Sequence, residues 1–236
     1  MSMARWRVER RSERPLSRTL DVTVAAGSLI GLAPLLLLVA LAVLVTTGRP
    51  IFFRQVRIGW HERPFSLVKF RTMRAPWPGE VWFQSDRERI TCLGRFLRTT
   101  SLDELPELWN VLRGDMSLVG PRPLLPEYLG VYTPEERRRH DVRPGLTGWA
   151  VVHGRNTLPF RERLRLDVWY VDHASIALDL LILARTVALV VRRSHSTPFE
   201  DDVALGFPIA CLGCDTAVPP HEDAGQLDDE RRSAGA

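Results

Sequence analysis

From Val22 to Gly48 the chain carries no charged residue. An apolar run of about two dozen residues is long enough on paper to span a bilayer. It is too long for a secretory signal and lacks a small-residue cleavage site. Pro34 lies near its middle, where it removes one helix hydrogen bond and predicts a kink. The period then falls to two. IFFRQVRI, a turn over Gly59 to Pro64, and FSLVKFRTM predict a hairpin over residues 51–73. Alternation puts Lys69 and Arg71 on one face of the second strand, opposite Val68 and Phe70. Helical spacing returns in SLDELPELWNVLRGDMSLVGPRP, from Ser101 to Pro123, with Leu105, Leu108, Trp109 and Leu112. Ser101 and Glu104 fit a capping box, and Pro106 is tolerable only in a first turn. The predicted helix therefore begins near Leu102 or Asp103 and stops at Gly114.

Further on, PEERRRHD predicts a short polar helix, followed by a turn at Pro144-Gly145. The Arg137–Arg139 triplet reads as a solvated or headgroup-facing face. LDVWYVDHASIALDLLILARTVALVV ends in an apolar helix interrupted by Asp179 and Arg185, which places it on the domain or at a membrane interface. Pro76 to Asp86 reads as a surface loop, and residues 195–236, acidic and aperiodic, as largely disordered. The fold class is α+β and mainly helical: a small catalytic domain with a short β-hairpin, preceded by a broken membrane helix. The predicted divisions are a basic leader (1–18), the membrane helix (19–48), the catalytic domain (49–194) and the acidic tail (195–236).

Charge sharpens this picture. Formal net charge is +4, yet residues 199–236 hold nine acids against two arginines, so the remainder carries +11. Such a body expects anionic partners: phosphates, anionic lipid or nucleic acid. Basic residues flank the apolar run on both sides, from Arg5, Arg7, Arg10, Arg11, Arg14 and Arg18 to Arg49, Arg54, Arg57 and Arg63. A single span would send one cluster outward, whereas a helix–break–helix that dips into one leaflet keeps both inside. Cys92, Cys211 and Cys214 imply no disulfide framework and suit a reducing, cytosolic side; Cys211-x-x-Cys214 lacks the second ligand pair of a zinc site.

Candidate chemistry gathers around Asp103 and Glu104, a pair of acids at a predicted helix start, where free N–H groups and the helix dipole favour anions. Arg95 and Arg98 lie just ahead and would keep the carboxylates ionised. Pro121 and Pro123 hold Arg122 between them, so its guanidinium is displayed with little freedom. Of 32 basic residues only Lys69 is a lysine. A compact ammonium, not a planar fork, is wanted there, as for a point contact with phosphate.

The Ser101–Pro123 stretch, with FFRQVRIG, KFRTM and RPGLTGWAVVHG, resembles the signature of the bacterial sugar transferase family, the monotopic phosphoglycosyl transferases. The resemblance covers about residues 18–191. Val151 and His153 stand where that family typically shows Gln and Asn. The resemblance implies transfer of a sugar-1-phosphate from a UDP-sugar to undecaprenyl phosphate at the cytoplasmic face of the bacterial inner membrane, starting an exopolysaccharide, capsule or O-antigen-type glycan. It also implies a re-entrant helix bent at Ala33-Pro34. Asp103 is the expected nucleophile, giving a phosphosugar–Asp intermediate and UMP, and an Mg²⁺ is expected between a carboxylate, Asp103, and the diphosphate. Glu104 is a metal partner, a structural partner or a base. Lys69, Arg71, Arg98 and Arg122, with Pro121 and Pro123 framing the last, are the candidate phosphate or nucleotide contacts. Inner-membrane lipid is an expected partner, and self-association is left open. A catalytically silent membrane-peripheral scaffold of the same fold is the alternative; its mark would be the loss of one acid, and both are present. A nucleic-acid module is disfavoured, because the charge flanks the membrane segment and aromatics are not interleaved with it.

Overall fold

A computed structural model describes residues 15–75, 89–154 and 158–191. The basic leader before residue 15, the Pro76–Asp86 loop, Cys211, Cys214 and the acidic tail lie outside the described residues.

The apolar run folds as two helices, α1 (Pro15–Gly31) and α2 (Ala33–Thr47), bent by 64° at their junction. Pro34 sits in the first turn of α2, where its missing N–H costs nothing. No single described helix is long and apolar enough to cross a membrane, although the bent pair reaches that length together. Much of the pair's surface is apolar and uncovered, with Ile30, Leu37, Leu38, Leu41 and Val45 all exposed.

The hairpin forms as expected. Strands β1 (Phe52–Ile58) and β2 (Pro64–Phe70) pair antiparallel, with Phe53 opposite Lys69. Helix α3 (Cys92–Thr99) then lies against the chain leaving β2 so closely that a Cβ on Gly94 would come within 2.0 Å of the Thr72 carbonyl. Helix α4 (Glu107–Arg113) ends at Gly114 in the left-handed conformation, φ 91°, as its position predicted.

The start of α4 differs from expectation. Ser101 has φ 56° and its side chain caps nothing; a tight single turn over Leu102–Glu104 follows, and Pro106 stands just before the helix. An N-cap side chain needs extended backbone to reach the N–H groups ahead of it, and left-handed geometry at Ser101 turns the chain instead. A true capping box occurs at Thr133 and Glu136, opening α5 (Pro134–Arg137).

A second, parallel pair joins β3 (Ser117–Val119) to β4 (Gly145–Thr147), a feature too short to be read from alternation. Helices α6 (Trp149–Val152), α7 (Phe160–His173) and α8 (Ile176–Val191) complete the described residues. The larger core gathers Leu108, Val111, Leu118, Val171 and Ile182 from α4, β3, α7 and α8, with Met116 from the turn before β3. A smaller one joins Val39 and Val43 of α2 to Phe70 and Leu97. Helix α8 packs on the domain through Ile182, one of the two placements expected. Its Asp179 is buried and accepts from the Tyr170 hydroxyl at 2.7 Å, while Leu180 and Val187 face outward.

Three arginines from the basic stretches, one of them in the triplet read as a solvated or headgroup-facing face, are held by the fold. Arg139 is 2% exposed and paired with Asp167 at 2.8 Å. Arg57 is buried against Gln55, and Arg18 bonds the end of α4. A charge run shows what a segment could display, but a partner far along the chain decides which members are drawn in.

Candidate active site

The turn over Leu102–Glu104 delivers both acids beside the hairpin. Asp103 is 8% exposed, and Glu104 points at two cations. Its Oε1 accepts from Lys69 Nζ and from Arg122 Nη2, each at 3.0 Å. Lys69 lies also 3.3 Å from Oε1 of Glu107, at ion-pair distance but without hydrogen-bond alignment, so that this buried oxygen has no hydrogen-bond partner. The sole lysine is thus a compact charge held between two carboxylates on a strand–helix seam, not a solubilising charge on an open strand.

Glu107 was not among the predicted site residues. It is 3% exposed, and burial raises its carboxyl from 4.5 to about 7; Lys69 opposes the rise and Glu104 adds to it. The signal was its position four residues after Asp103, which puts the two one helical turn apart, but helical spacing alone does not say which face is buried. Trp109, expected within the apolar series, is half exposed, whereas Asn110 is fully buried. Asn110 fixes the seam: its Oδ1 accepts from Val68 N at 3.1 Å and its Nδ2 donates to the Ser66 carbonyl at 2.8 Å.

Arg122 is held by its backbone. The carbonyls of Pro121, Arg122, Pro123 and Leu124 accept in turn from Gly145 N (3.0 Å), Arg139 Nη2 (2.7 Å), Arg57 Nη1 (3.4 Å) and Ile58 N (2.9 Å). Four consecutive anchors leave little freedom to the segment, and the flanking prolines fix two of its φ angles. Gly120 permits this approach, because a Cβ there would come within 2.3 Å of the Arg143 carbonyl.

The other predicted contacts divide. Arg98 donates from Nε to the Thr72 hydroxyl at 2.9 Å, on the segment that leaves β2 behind Lys69. Arg71 is turned to the backbone, donating to the carbonyls of Met73 and Arg49, both at 2.9 Å, and shares no partner with Lys69. Val151 lines a small cavity with Arg122, Arg139, Phe160 and Asp167, and His153 folds back to bond the Trp149 carbonyl at 2.8 Å.

As a donor set, the cluster offers one recessed carboxylate, Asp103, beside a second carboxylate that two cations hold in place. Among the described residues no three Asp, Glu, His or Cys groups converge as a metal cage. Mg²⁺ does not need one: it keeps waters and shares one or two carboxylates with substrate phosphates.

The description of the family model that matches residues 12–193 is bacterial sugar transferase. The chain belongs to this family and is a transferase. It is 48% identical over 176 residues to the uncharacterized sugar transferase EpsL of Bacillus subtilis (strain 168), covering 75% of this chain and 87% of that one. It is 44% identical over 180 residues to the UDP-glucose:undecaprenyl-phosphate glucose-1-phosphate transferase of Caulobacter vibrioides, covering 72% and 67%. With the undecaprenyl-phosphate galactose phosphotransferase of Salmonella typhimurium the identity is 38% over 202 residues, 78% of this chain but 42% of that longer protein.

Proposed function

We propose that the protein transfers a sugar-1-phosphate from a UDP-sugar to undecaprenyl phosphate, releasing UMP and starting an exopolysaccharide or related glycan at the cytoplasmic face of the inner membrane. The observation that carries this reading is Asp103, recessed beside a Glu104 that Lys69 and Arg122 both hold at 3.0 Å. The names of the relatives in Caulobacter and Salmonella support the substrate pair. The 64° bend between two apolar helices supports a re-entrant anchor, the arrangement that would keep both basic flanks on one side.

In the first step a carboxylate oxygen of Asp103 attacks the sugar-linked phosphorus. The bond from that phosphorus to the oxygen bridging the two phosphates breaks, and UMP leaves with the electron pair. In the second step a phosphate oxygen of undecaprenyl phosphate attacks the same phosphorus. The bond to Asp103 breaks, the carboxylate is regenerated, and the product is a polyprenyl diphosphate sugar. Neither step needs water. Glu104 acts as a structural partner: its Oε1, occupied by Lys69 and Arg122, fixes both cations facing the phosphates. Asp103 is the carboxylate that would hold Mg²⁺, and the ion would supply neutralisation of the charge developing on the leaving group. Arg98 adds to the field, whereas Arg71 is committed to the Met73 and Arg49 carbonyls.

The test is UMP release from membranes supplied with undecaprenyl phosphate and a panel of UDP-sugars. Asp103→Asn keeps the shape and is a far poorer nucleophile, so turnover should fall by orders of magnitude in a folded, membrane-bound protein. Near-normal UMP release by that variant would sink the covalent route.

A further inference from the structure

Helix α1 is tied to the catalytic domain by two polar contacts that its apolar sequence gives no reason to expect. Arg18 donates from Nη1 to the Val111 carbonyl at 2.7 Å and from Nη2 to the Leu112 carbonyl at 3.0 Å, and Nη1 also lies 3.4 Å from the Met116 carbonyl. Val111 and Leu112 are in the last turn of α4, where carbonyls lack partners within the helix and a cation meets the negative end of its dipole. One turn along α1, Asp21 is 5% exposed and accepts from the Leu118 N–H of β3 at 3.0 Å. Helix α1 packs along both elements.

These two elements carry the two halves of the site. Helix α4 starts at Glu107, directly behind the turn that bears Asp103 and Glu104, and β3 ends one residue before Gly120-Pro121-Arg122. Helix α1 therefore grips the trailing end of one segment and the leading end of the other. The hydrogen bond between Arg122 and Glu104 joins the far ends of both. A contact that served only to bury the anchor helix would need no charge. Apolar packing at Ala25, which is fully buried in the same core, already does that.

We propose that Arg18 and Asp21 are positioning residues: through them the anchor helix sets the spacing between the Asp103–Glu104 turn and Arg122, so that the site is assembled only while α1 is seated on the domain. The inference rests on the transferase reading for its activity measurement and stands apart from it for its structural one. Neither residue reaches the reacting atoms. Each acts through the backbone that it holds.

The experiment uses the full chain in phospholipid vesicles, with undecaprenyl phosphate and the UDP-sugar panel, and follows UMP release alongside amide hydrogen exchange. Arg18→Gln should lower kcat about tenfold, the worth of one charge-assisted hydrogen bond, at unchanged KM for the UDP-sugar and unchanged membrane sedimentation. Exchange across residues 111–118 should rise by a similar factor. Arg18→Lys should recover part of the loss. Asp21→Asn, whose amide oxygen still accepts from Leu118, should rescue what Asp21→Leu loses. A folded, membrane-bound Arg18→Gln protein with kcat within twofold of the parent overturns the proposal, as does an Asp21→Leu protein that matches Asp21→Asn. If Arg18→Gln does not accumulate, the Asp21 pair decides. If the unmodified protein releases no UMP from any sugar, the transferase reading fails; exchange then still judges the tether, and unchanged exchange at Leu118 in Asp21→Leu refutes it.

Discussion

Replacing Glu107 by Gln should make the protein more stable relative to its parent as pH rises, the reverse of what removing an acid beside a lysine suggests. Glu107 is 3% exposed, its Oε1 has no hydrogen-bond partner, and its carboxyl is raised from 4.5 to about 7, chiefly by burial. The folded state therefore holds a proton that the unfolded chain releases at lower pH. The stability carried by that proton is fully present below about pH 4.5 and is lost as pH rises toward about 7. Across that interval of about 2.5 pH units, at about 1.4 kcal/mol each, the loss is about 3 kcal/mol. The amide cannot ionise, so the variant escapes this loss while keeping an oxygen for Lys69. For a chain of this size about 3 kcal/mol corresponds to roughly 6–12 °C in melting temperature. The assay is thermal denaturation of both proteins in the same lipid at about pH 4 and about pH 8. The difference in melting temperature, variant minus parent, should grow by that amount between the two. A difference that does not change with pH would refute the buried, proton-holding carboxyl.

Lys69→Arg keeps the charge but replaces a point cation, 3.0 and 3.3 Å from two carboxylates in a closed seam, with a larger planar fork. UMP release should fall more than about tenfold, and a fully active arginine variant would mean that any cation serves. Arg139→Met leaves Asp167 buried without its 2.8 Å partner and should cost about 3–5 kcal/mol, much of it recovered by Arg139→Met with Asp167→Leu; equal melting of single and double variants would contradict this. Pro34→Leu should straighten the 64° bend and move the N-terminus outward in part of the population. Cysteine labelling near residue 3 with an impermeant reagent in intact cells measures this. Outside labelling of the unmodified protein would defeat the re-entrant arrangement.

The sequence by itself determined what depends on short stretches of chain. Uncharged residues from Val22 to Gly48 with Pro34 between them dictate two apolar helices and a bend, because one proline breaks a local hydrogen-bond ladder. Alternation dictates the hairpin, Gly114 ends the helix, and two prolines confine Arg122. Ser101 shows the limit of local reading: the same capping pattern is filled at Thr133 and Glu136 and not at Ser101 and Glu104, where a left-handed residue redirects the chain. Tertiary structure decided which charges are inside. Glu107 and Asn110 face the hairpin while Trp109 faces out. Arg139, one of three adjacent arginines, is the one that finds a buried acid 28 residues away and braces the backbone of Arg122. Arg18 and Asp21 bond carbonyl and amide groups more than 90 residues distant. A buried charge is tolerable only where its partner arrives, and the partners here come from elements that folding alone brings together.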